Sequence, residues 1–258
     1  MQTVLFTSTI FGPIHSRRLG TSLGVNLMPA DGKICSFDCL YCEAGFNAQG
    51  HGKKGIPHRE EVASLLEDRL QQMRRQDMTL DVITFSGNGE PTLHPDFLGV
   101  VNDTMRLRDK YYPEAKVSVL SNATKLHDQA VVEALRLVDN NILTLDSAFD
   151  ATVRLIDRPA SPAYSVAGIV EGMKQFGSQC IVQTMMLRGE YEGNDIDNTT
   201  DAEINALIAA YKEIGPREVM LYSIDRKTPA EQLVKVERDE LDSIAARIRQ
   251  AGINVLVS

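Results

Sequence analysis

The sequence has 258 residues, of which 43% are hydrophobic and 24% charged, and its formal net charge at pH 7 is −8. A chain of this length and composition is expected to fold as about one large domain with a sizeable core. The acidic balance argues against non-specific binding to a phosphate backbone, which depends on dense Lys and Arg. No apolar run approaches the roughly 18 residues of a membrane helix, and the N-terminus lacks the pattern of a secretory signal. We therefore expect a cytoplasmic protein.

The predicted elements alternate strand with helix along the chain. After an N-terminal segment without a clear prediction, β-rich runs predict strands and apolar residues at helical spacing predict helices. The predicted strands cover 22–27, 81–86, 116–120, 141–145, 179–185, 218–223 and 254–257; the predicted helices cover 59–76, 95–111, 128–137, 152–156, 166–176, 202–214 and 238–251. Residues 188–200 and 225–235 are predicted loops. Six or seven alternations without a linker or repeat predict one parallel α/β domain.

Three of the four cysteines, Cys35, Cys39 and Cys42, fall within eight residues at C-x3-C-x2-C spacing. Thiolates this close in sequence can converge on one centre, and a four-iron cluster offers four irons to ligate. Three cysteines leave one position open, which is typical of a reactive metal site rather than a structural one. The alternatives are structural zinc, with His51 or His58 as a further ligand, and a disulfide scaffold, which is typical of short secreted chains.

The C-x3-C-x-aromatic-C form, with Tyr41 at the aromatic position, resembles the motif of the radical S-adenosylmethionine (SAM) superfamily. The resemblance implies a partial (β/α)6 barrel, in agreement with the count of predicted units, and a [4Fe–4S] cluster held by Cys35, Cys39 and Cys42. It implies that the open iron binds the amino and carboxylate groups of SAM. An electron then splits the sulfonium into methionine and a 5′-deoxyadenosyl radical, which abstracts hydrogen from a substrate. The chain 1–258 would be a single radical SAM domain, with its core at about 20–258 and its cluster loop at about 29–55.

A glycine-rich turn follows the second predicted strand. This turn, Gly87-Asn88-Gly89-Glu90-Pro91, resembles the superfamily's Gly-Gly-Glu-Pro motif, which holds the SAM amino group. Asn88 stands where a glycine is common, and we interpret it as a residue that tolerates positive φ. By resemblance, Asn122, Asp146 and Gln183 occupy places that contact the ribose hydroxyls and the methionine carboxylate, and Tyr41 lies near adenine. The alternatives are a first-turn helix charge for Glu90 and helix caps or loop partners for the other strand-end residues.

Three arginines follow predicted strands or lie in adjoining loops, on the side where parallel α/β sheets bind ligands. Arg158, Arg188 and Arg226, together with Lys227, are predicted to bind an anionic substrate through forked or point-charge contacts. The alternative for each is a solvated loop charge. Cys180, inside a predicted strand, is expected to be a buried apolar residue, which leaves no ligands for a second cluster.

Basic residues flank the cysteine loop on both sides. Arg17-Arg18 precede it, and His51, Lys53-Lys54, His58 and Arg59 follow it, so we interpret them as an electropositive rim. Because a radical SAM cluster must be re-reduced, the resemblance implies a flavodoxin or ferredoxin partner. Such carriers are commonly acidic, and Lys53 and Lys54 are the predicted docking residues.

A closer resemblance runs from Gly12-Pro13 and residues 16–20 through residues 87–94 to Arg188-Gly189. Along these segments the chain is similar to a bacterial radical SAM group related to wyosine synthetase, a tRNA-modifying enzyme. This sequence has neither the extra N-terminal cysteines of the archaeal enzyme nor the flavodoxin domain of the eukaryotic one. The open functions are tRNA base modification, peptide or glycyl-radical activation, and rearrangement of a small anionic metabolite. The non-enzyme alternative is a zinc-binding interaction module.

Overall fold

The computed structural model describes residues 5–16 and 19–258, so the basic pair Arg17-Arg18 lies outside the described residues. The strands are β1 (Ile10–Ser16), β2 (Gly20–Val25), β3 (Val82–Phe85), β4 (Lys116–Ser121), β5 (Asn140–Thr144), β6 (Cys180–Tyr191), β7 (Asn194–Asp197), β8 (Glu218–Ser223), β9 (Leu233–Lys235) and β10 (Val255–Val257). The helices are α1 (Arg59–Arg75), α2 (Phe97–Tyr111), α3 (Gln129–Leu137), α4 (Asp150–Ile156), α5 (Val166–Lys174), α6 (Asp201–Ile214) and α7 (Arg238–Gln250).

The main sheet is parallel and open. Its strand order is β1-β2-β3-β4-β5-β6-β8-β10, and every neighbouring pair from β2 to β10 is parallel. Among residues 5–16 and 19–258 the sheet does not close on itself, which confirms the predicted single α/β domain with a partial parallel barrel. Because parallel strands end at the same edge of a sheet, the loops that follow β2, β3, β4, β5, β6 and β8 meet at one mouth.

Helix packing follows the apolar pattern of the sequence. In α1 the buried residues Val62, Leu66, Leu70 and Met73 recur every three or four positions and face the sheet. Side-chain caps begin several helices; Thr200, for example, accepts a hydrogen bond from the Glu203 N–H at the start of α6. In the described part of the chain, no helix combines the length and apolar character needed to cross a membrane.

Short antiparallel strands account for the differences from the predicted elements. β1 pairs with β2 in the N-terminal segment that had no prediction. The predicted loop 188–200 contains the end of β6 and the whole of β7, joined by a tight turn in which Glu192 and Gly193 both have positive φ. The predicted loop 225–235 contains β9, which pairs with β6. β7 is short and polar, β9 has three residues, and β1 is interrupted by Gly-Pro, so their apolar alternation is weak.

Candidate active site

The cysteine loop lies across the mouth of the barrel and is hydrogen-bonded to it through its backbone. Asp38 N–H donates to the Asp157 carbonyl, and Leu40 N–H donates to the Ile156 carbonyl, both at 2.9 Å. On the other side, Ala230 N–H donates to the Leu40 carbonyl at 3.2 Å. The Leu40 side chain, between Cys39 and Cys42, is fully buried in a cluster of apolar residues inside the mouth. The barrel therefore fixes the path of the loop.

The glycine-rich turn after β3 holds the start of the same loop. Ile34 N–H donates to the Asn88 carbonyl at 3.1 Å, and Glu90 N–H donates to the Ile34 carbonyl at 3.0 Å. This approach requires a glycine at position 89, where φ is +137° and an added Cβ would lie 1.8 Å from the Ile34 oxygen. The cysteine loop and the glycine-rich turn, far apart in sequence, are therefore hydrogen-bonded to each other.

Asn88 does not have the backbone conformation that we predicted for it. Gly87 and Gly89 have positive φ, whereas Asn88 does not. Its buried side chain instead donates to the carbonyls of Phe6 and Pro29, at 2.8 and 2.9 Å, and accepts from Phe6 N–H at 2.9 Å. An amide side chain can make all three hydrogen bonds because it has both N–H donors and a carbonyl acceptor.

Glu90 is buried and accepts hydrogen bonds at both carboxylate oxygens. Oε1 accepts from the Thr92 hydroxyl and the Ser121 hydroxyl, at 2.7 and 2.8 Å, and from Thr92 N–H at 3.1 Å. Oε2 accepts from Asn122 N–H at 2.7 Å. Burial raises the pKa of Glu90, and these hydrogen bonds oppose the rise. Glu90 therefore caps the short 3-10 turn Pro91–Leu93 and also joins β3 to the end of β4.

Asn122 links the Glu90 carboxylate to the first cysteine. Its side-chain Nδ2 lies 3.7 Å from Cys35 Sγ, within hydrogen-bonding range for sulfur, and 2.9 Å from Ser36 Oγ. The next residue, Ala123, has a φ of +64°, which is uncommon for a residue with a side chain. Strained backbone of this kind often occurs at functional sites, because the surrounding structure must hold it.

The three cysteines of the loop are partly buried and lie close enough for their charges to interact. Burial, with the Glu90 carboxylate, raises the pKa of Cys35 to about 12, while Lys33 opposes the rise. Burial also raises the pKa of Cys39, and the charges of Asp157, Cys42 and Cys35 add to it. Among residues 5–16 and 19–258, no three Cys, His, Asp or Glu side chains are grouped to hold one metal ion.

This donor set fits an iron–sulfur cluster better than a single ion. Thiolates are the usual cluster ligands, and a cluster spreads its three protein ligands over three different irons. N–H donors to the sulfurs are a common feature of such sites, and Asn122 is positioned as one at Cys35.

Tyr41 points into the barrel, where it meets two buried carboxylates. Its hydroxyl donates to Asp146 Oδ2 and also lies 3.2 Å from Asp157 Oδ1. Met185 N–H donates to the other oxygen of Asp146 at 2.7 Å, and burial raises the pKa of Asp146 to about 6. Gln183, on β6, donates to the Tyr222 hydroxyl at 3.0 Å. Tyr41, Asp146 and Gln183 thus lie within the barrel mouth.

Two cavities adjoin the cysteine loop. A small one, of about 90 Å³, is lined by residues that include Tyr41, Tyr222 and Arg226. A larger one, of about 500 Å³, lies on the side of Cys35 and is lined by residues that include Ser36 and Thr124. Both cavities leave space beside the cysteine loop.

The predicted substrate arginines each have a carboxylate partner. Arg158 Nη1 lies 3.6 Å from Asp38 Oδ2, and its guanidinium carbon lies 5.3 Å from the ring centroids of both Phe46 and Tyr191. Arg226 forms an exposed ion pair of 2.6 Å with Glu43, beside Cys42. Both arginines thus contact the cysteine loop.

Arg188 lies elsewhere in the mouth. Its guanidinium forms an ion pair with Glu240 of α7 and lies 3.7 Å from Asp197. Lys227 is exposed and follows Arg226 directly. The structure therefore places Arg158 and Arg226 against the cysteine loop and Arg188 against α7.

The predicted basic rim divides into two parts. Lys53 and Lys54 are exposed, and their backbone N–H groups donate to the Asp31 carboxylate. Arg59 instead pairs with Asp103 at 2.7 Å and so ties α1 to α2. Cys180 is fully buried in the core, which confirms its predicted role.

Three residues of the site were absent from the sequence prediction. Lys33 is buried inside the cysteine loop, Asp157 faces Tyr41, and Tyr222 binds Gln183. Lys33 could have been predicted from its position two residues before Cys35, because a charged side chain in such a tight loop must bind a nearby group. Tyr222 and Asp157 carried no signal beyond their places near strand or helix ends.

A partial parallel barrel with a three-cysteine loop across its mouth defines a class of cluster-binding enzymes. The sequence pattern of the Radical SAM superfamily matches residues 31–201, two thirds of the chain, and the chain belongs to this superfamily. It is therefore a radical SAM enzyme whose cofactors are a [4Fe–4S] cluster and SAM.

Similar proteins include relatives of unequal length. A "UPF0026 protein" of Helicobacter pylori is 31% identical over 240 residues, covering 90% of this chain and 71% of that protein. A protein named "GTPase Obg" from Brachyspira hyodysenteriae is 27% identical over 241 residues, covering 92% of this chain but 33% of that protein. The chain thus spans a third of the Brachyspira relative.

Solved structures share the fold at low identity. A radical SAM methyltransferase from Sphaerobacter thermophilus superposes with a TM-score of 0.68 at 14% identity, over 92% of this chain and 65% of that one. TYW1 with a lysine-pyruvate adduct bound superposes with a TM-score of 0.60 at 12% identity, over 90% and 75%. Likeness at this identity shows the fold.

Proposed function

We propose that the protein cleaves SAM reductively at a [4Fe–4S] cluster on Cys35, Cys39 and Cys42, and that the resulting 5′-deoxyadenosyl radical abstracts hydrogen from an anionic substrate. The observation that carries this proposal is the contact set of Asn122. Its N–H donates to Glu90, and its side chain reaches Cys35 Sγ. One residue therefore connects the cysteine loop to the carboxylate of the glycine-rich turn.

The remaining mouth residues supply the groups that SAM would need. The Glu90 carboxylate and the backbone at Gly87 and Gly89 would receive its ammonium, because charge-assisted hydrogen bonds are strong when buried. Asn122, Asp146 and Gln183 would contact the ribose and the methionine carboxylate, and Tyr41 would lie beside adenine. Asn88 would support the turn from behind, through its bonds to Phe6 and Pro29.

Anaerobic reconstitution tests the cluster assignment. We expect the wild-type protein to bind iron and sulfide and, when given dithionite and SAM, to release methionine and 5′-deoxyadenosine. Cys35→Ala should lose both properties. Cys180→Ala is the matched control, because this cysteine is buried in the core away from the loop. A colourless wild-type protein that binds zinc in place of iron would overturn the proposal in favour of an interaction module.

An anionic substrate is supported by the charges at the mouth. Arg226 lines the small cavity with Tyr41 and Tyr222, and its exposed partner Glu43 could be replaced by a carboxylate or phosphate of the substrate. Arg158 and Lys227 would add to this contact, whereas Arg188 would need to leave Glu240 first. The fold alone does not select the substrate, since its neighbours include a methyltransferase and TYW1.

Deuterium transfer tests the substrate class. Metabolites from cells grown in deuterated medium would be separated by anion exchange and incubated with the reduced enzyme and unlabelled SAM. We expect the fraction retained by the resin to place deuterium in 5′-deoxyadenosine, and Arg226→Gln to weaken this transfer. The matched control is Arg238→Gln, an exposed ion-paired arginine on α7. A donor found solely in the unretained fraction would contradict the proposal.

A flavodoxin or ferredoxin is the proposed reductant, docking at Lys53 and Lys54. Both lysines are exposed at the end of the cluster loop, about ten residues after Cys42. Changing both to Glu should slow reduction by flavodoxin while leaving reduction by dithionite unchanged, because steering by charge acts on the protein donor. Lys212→Glu, on the exposed side of α6, is the control. Equal rates for all three proteins with flavodoxin would contradict this docking site.

The compartment and the extent of the domain are part of the same proposal. A cytoplasmic location suits reduced thiols and an oxygen-sensitive cluster. We also propose that residues 20–258 form the radical SAM core, with the cluster loop at about 29–55.

A further inference from the structure

Lys33 is a buried lysine inside the cysteine loop, with 1% of its surface exposed. Full burial is rare for lysine, because its ammonium loses hydration. Its Nζ donates to the Gly45 carbonyl at 2.6 Å and lies 4.0 Å from Asp38 Oδ1. The nearest carboxylate is thus beyond hydrogen-bond distance, and one carbonyl does not balance a buried charge.

Asp38 is already shared with a second cation. Its Oδ1 accepts a 2.6 Å hydrogen bond from Asn47 N–H, and its Oδ2 lies 3.6 Å from Arg158 Nη1. Two cations therefore flank one anion in this part of the loop. This excess of one positive charge is confined to Lys33, Asp38 and Arg158, since the carboxylates of Glu90 and Asp157 also act on the cysteines.

Three thiolates on an iron–sulfur cluster bring a net negative charge into the loop, and reduction adds one electron more. Cluster potentials depend on nearby charge and on exposure to solvent. We infer that Lys33 is the internal counter-cation of the cluster, and that its buried ammonium makes reduction more favourable. This inference rests on the proposed placement of the cluster at Cys35, Cys39 and Cys42.

A purely structural role is the competing explanation. Lys33 also joins two sides of the loop, because its backbone N–H donates to the Gly50 carbonyl while its side chain holds Gly45. A structural link of this kind would affect how much cluster assembles and the melting temperature. It would leave unchanged the potential of the clusters that do assemble.

The test is the midpoint potential of the reconstituted protein, measured by an EPR-monitored redox titration without SAM. We expect Lys33→Met to disfavour reduction at least tenfold, which corresponds to a midpoint about 59 mV more negative for a one-electron couple. Lys33→Arg keeps the charge and should remain near the wild-type value. An unchanged potential in Lys33→Met, or an equal shift in Lys33→Arg, would overturn the inference.

Asp38→Asn decides the question if Lys33→Met assembles too little cluster to titrate. Removing this anion leaves Lys33 and Arg158 unopposed, so the midpoint should become less negative, and an unchanged value would overturn the inference. Iron content separates the two proposals. A wild-type protein without bound iron refutes the proposed function. If iron is bound but the midpoint potential is the same in wild type, Lys33→Met and Asp38→Asn, only the role of Lys33 is refuted.

Discussion

Replacing Gly89 with Ala should separate the cysteine loop from the turn that holds it. An alanine Cβ would lie 1.8 Å from the Ile34 carbonyl oxygen, and the backbone φ of +137° is unfavourable for any residue with a side chain. Backbone strain costs on the order of 1–3 kcal/mol. Moving Ile34 away would also break two hydrogen bonds to the turn, each contributing about 0.5–1.5 kcal/mol.

The expected loss of unfolding free energy is roughly 2–6 kcal/mol from these terms together. For a protein of this size about 1 kcal/mol lowers the melting temperature by 2–4 °C, so Gly89→Ala should melt roughly 10 °C lower. Calorimetry of the apoprotein gives this change, and iron content after reconstitution shows whether the three cysteines still bind a cluster.

Gly55→Ala is the matched control for Gly89→Ala. Gly55 also has positive φ, at +75°, but no heavy atom lies within 4 Å of an added Cβ. It should lose about 1–2 kcal/mol through backbone conformation alone and keep its iron. If Gly89→Ala matches Gly55→Ala in melting temperature and iron content, the close approach of the loop and the turn is wrong.

Three further changes test other contacts. Because burial raises the pKa of Glu90 above 4.5, wild-type apoprotein should lose stability as the pH rises from about 4.5 through the raised value. Glu90→Gln should show a smaller pH slope in urea unfolding, because Asp146, whose pKa is also raised, still contributes; equal slopes would contradict the burial argument. Asn122→Leu removes the N–H at Cys35 Sγ and should make the cluster midpoint more negative; an unchanged EPR titration would contradict this contact. Arg108→Met removes a buried guanidinium that donates to the Ala115 carbonyl and pairs with the partly exposed Asp139, and it should cost about 1–3 kcal/mol in urea unfolding, whereas Arg106→Met, at an exposed pair, should cost under about 1 kcal/mol.

The main helices and parallel strands could be predicted because their apolar periodicity is strong. The predicted helix 59–76 is α1, Arg59–Arg75, and the predicted strand 218–223 is β8 with the same bounds. β7 and β9 were missed because both are short, at four and three residues, and because β7 is polar. The fold class followed from the alternation of elements, and short antiparallel additions do not change it.

The sequence predicted which candidate residues lie at the mouth, but it did not predict their contacts within the protein. Strand ends identify residues that face the mouth, and Glu90, Asn122 and Asp146 are all there. Spacing carries no information about which groups these side chains bind within the protein. Asn88 is an example: its position in the turn was predicted, but the hydrogen bonds from its side chain to the carbonyls of Phe6 and Pro29 were not.

The proposed contact between Asp146 and the ribose of SAM would have to fit the hydrogen bonds that Asp146 already accepts. Both of its carboxylate oxygens already accept hydrogen bonds, one from the Tyr41 hydroxyl and one from Met185 N–H. Each carboxylate oxygen has a second lone pair, so a ribose hydroxyl can join without displacing Met185. Tyr41 is the more mobile partner, because a side-chain rotation can move its hydroxyl to Asp157, already 3.2 Å away. Asp157 therefore gives Tyr41 an alternative acceptor, and the proposed binding of ribose at Asp146 would leave the tyrosine hydroxyl hydrogen-bonded.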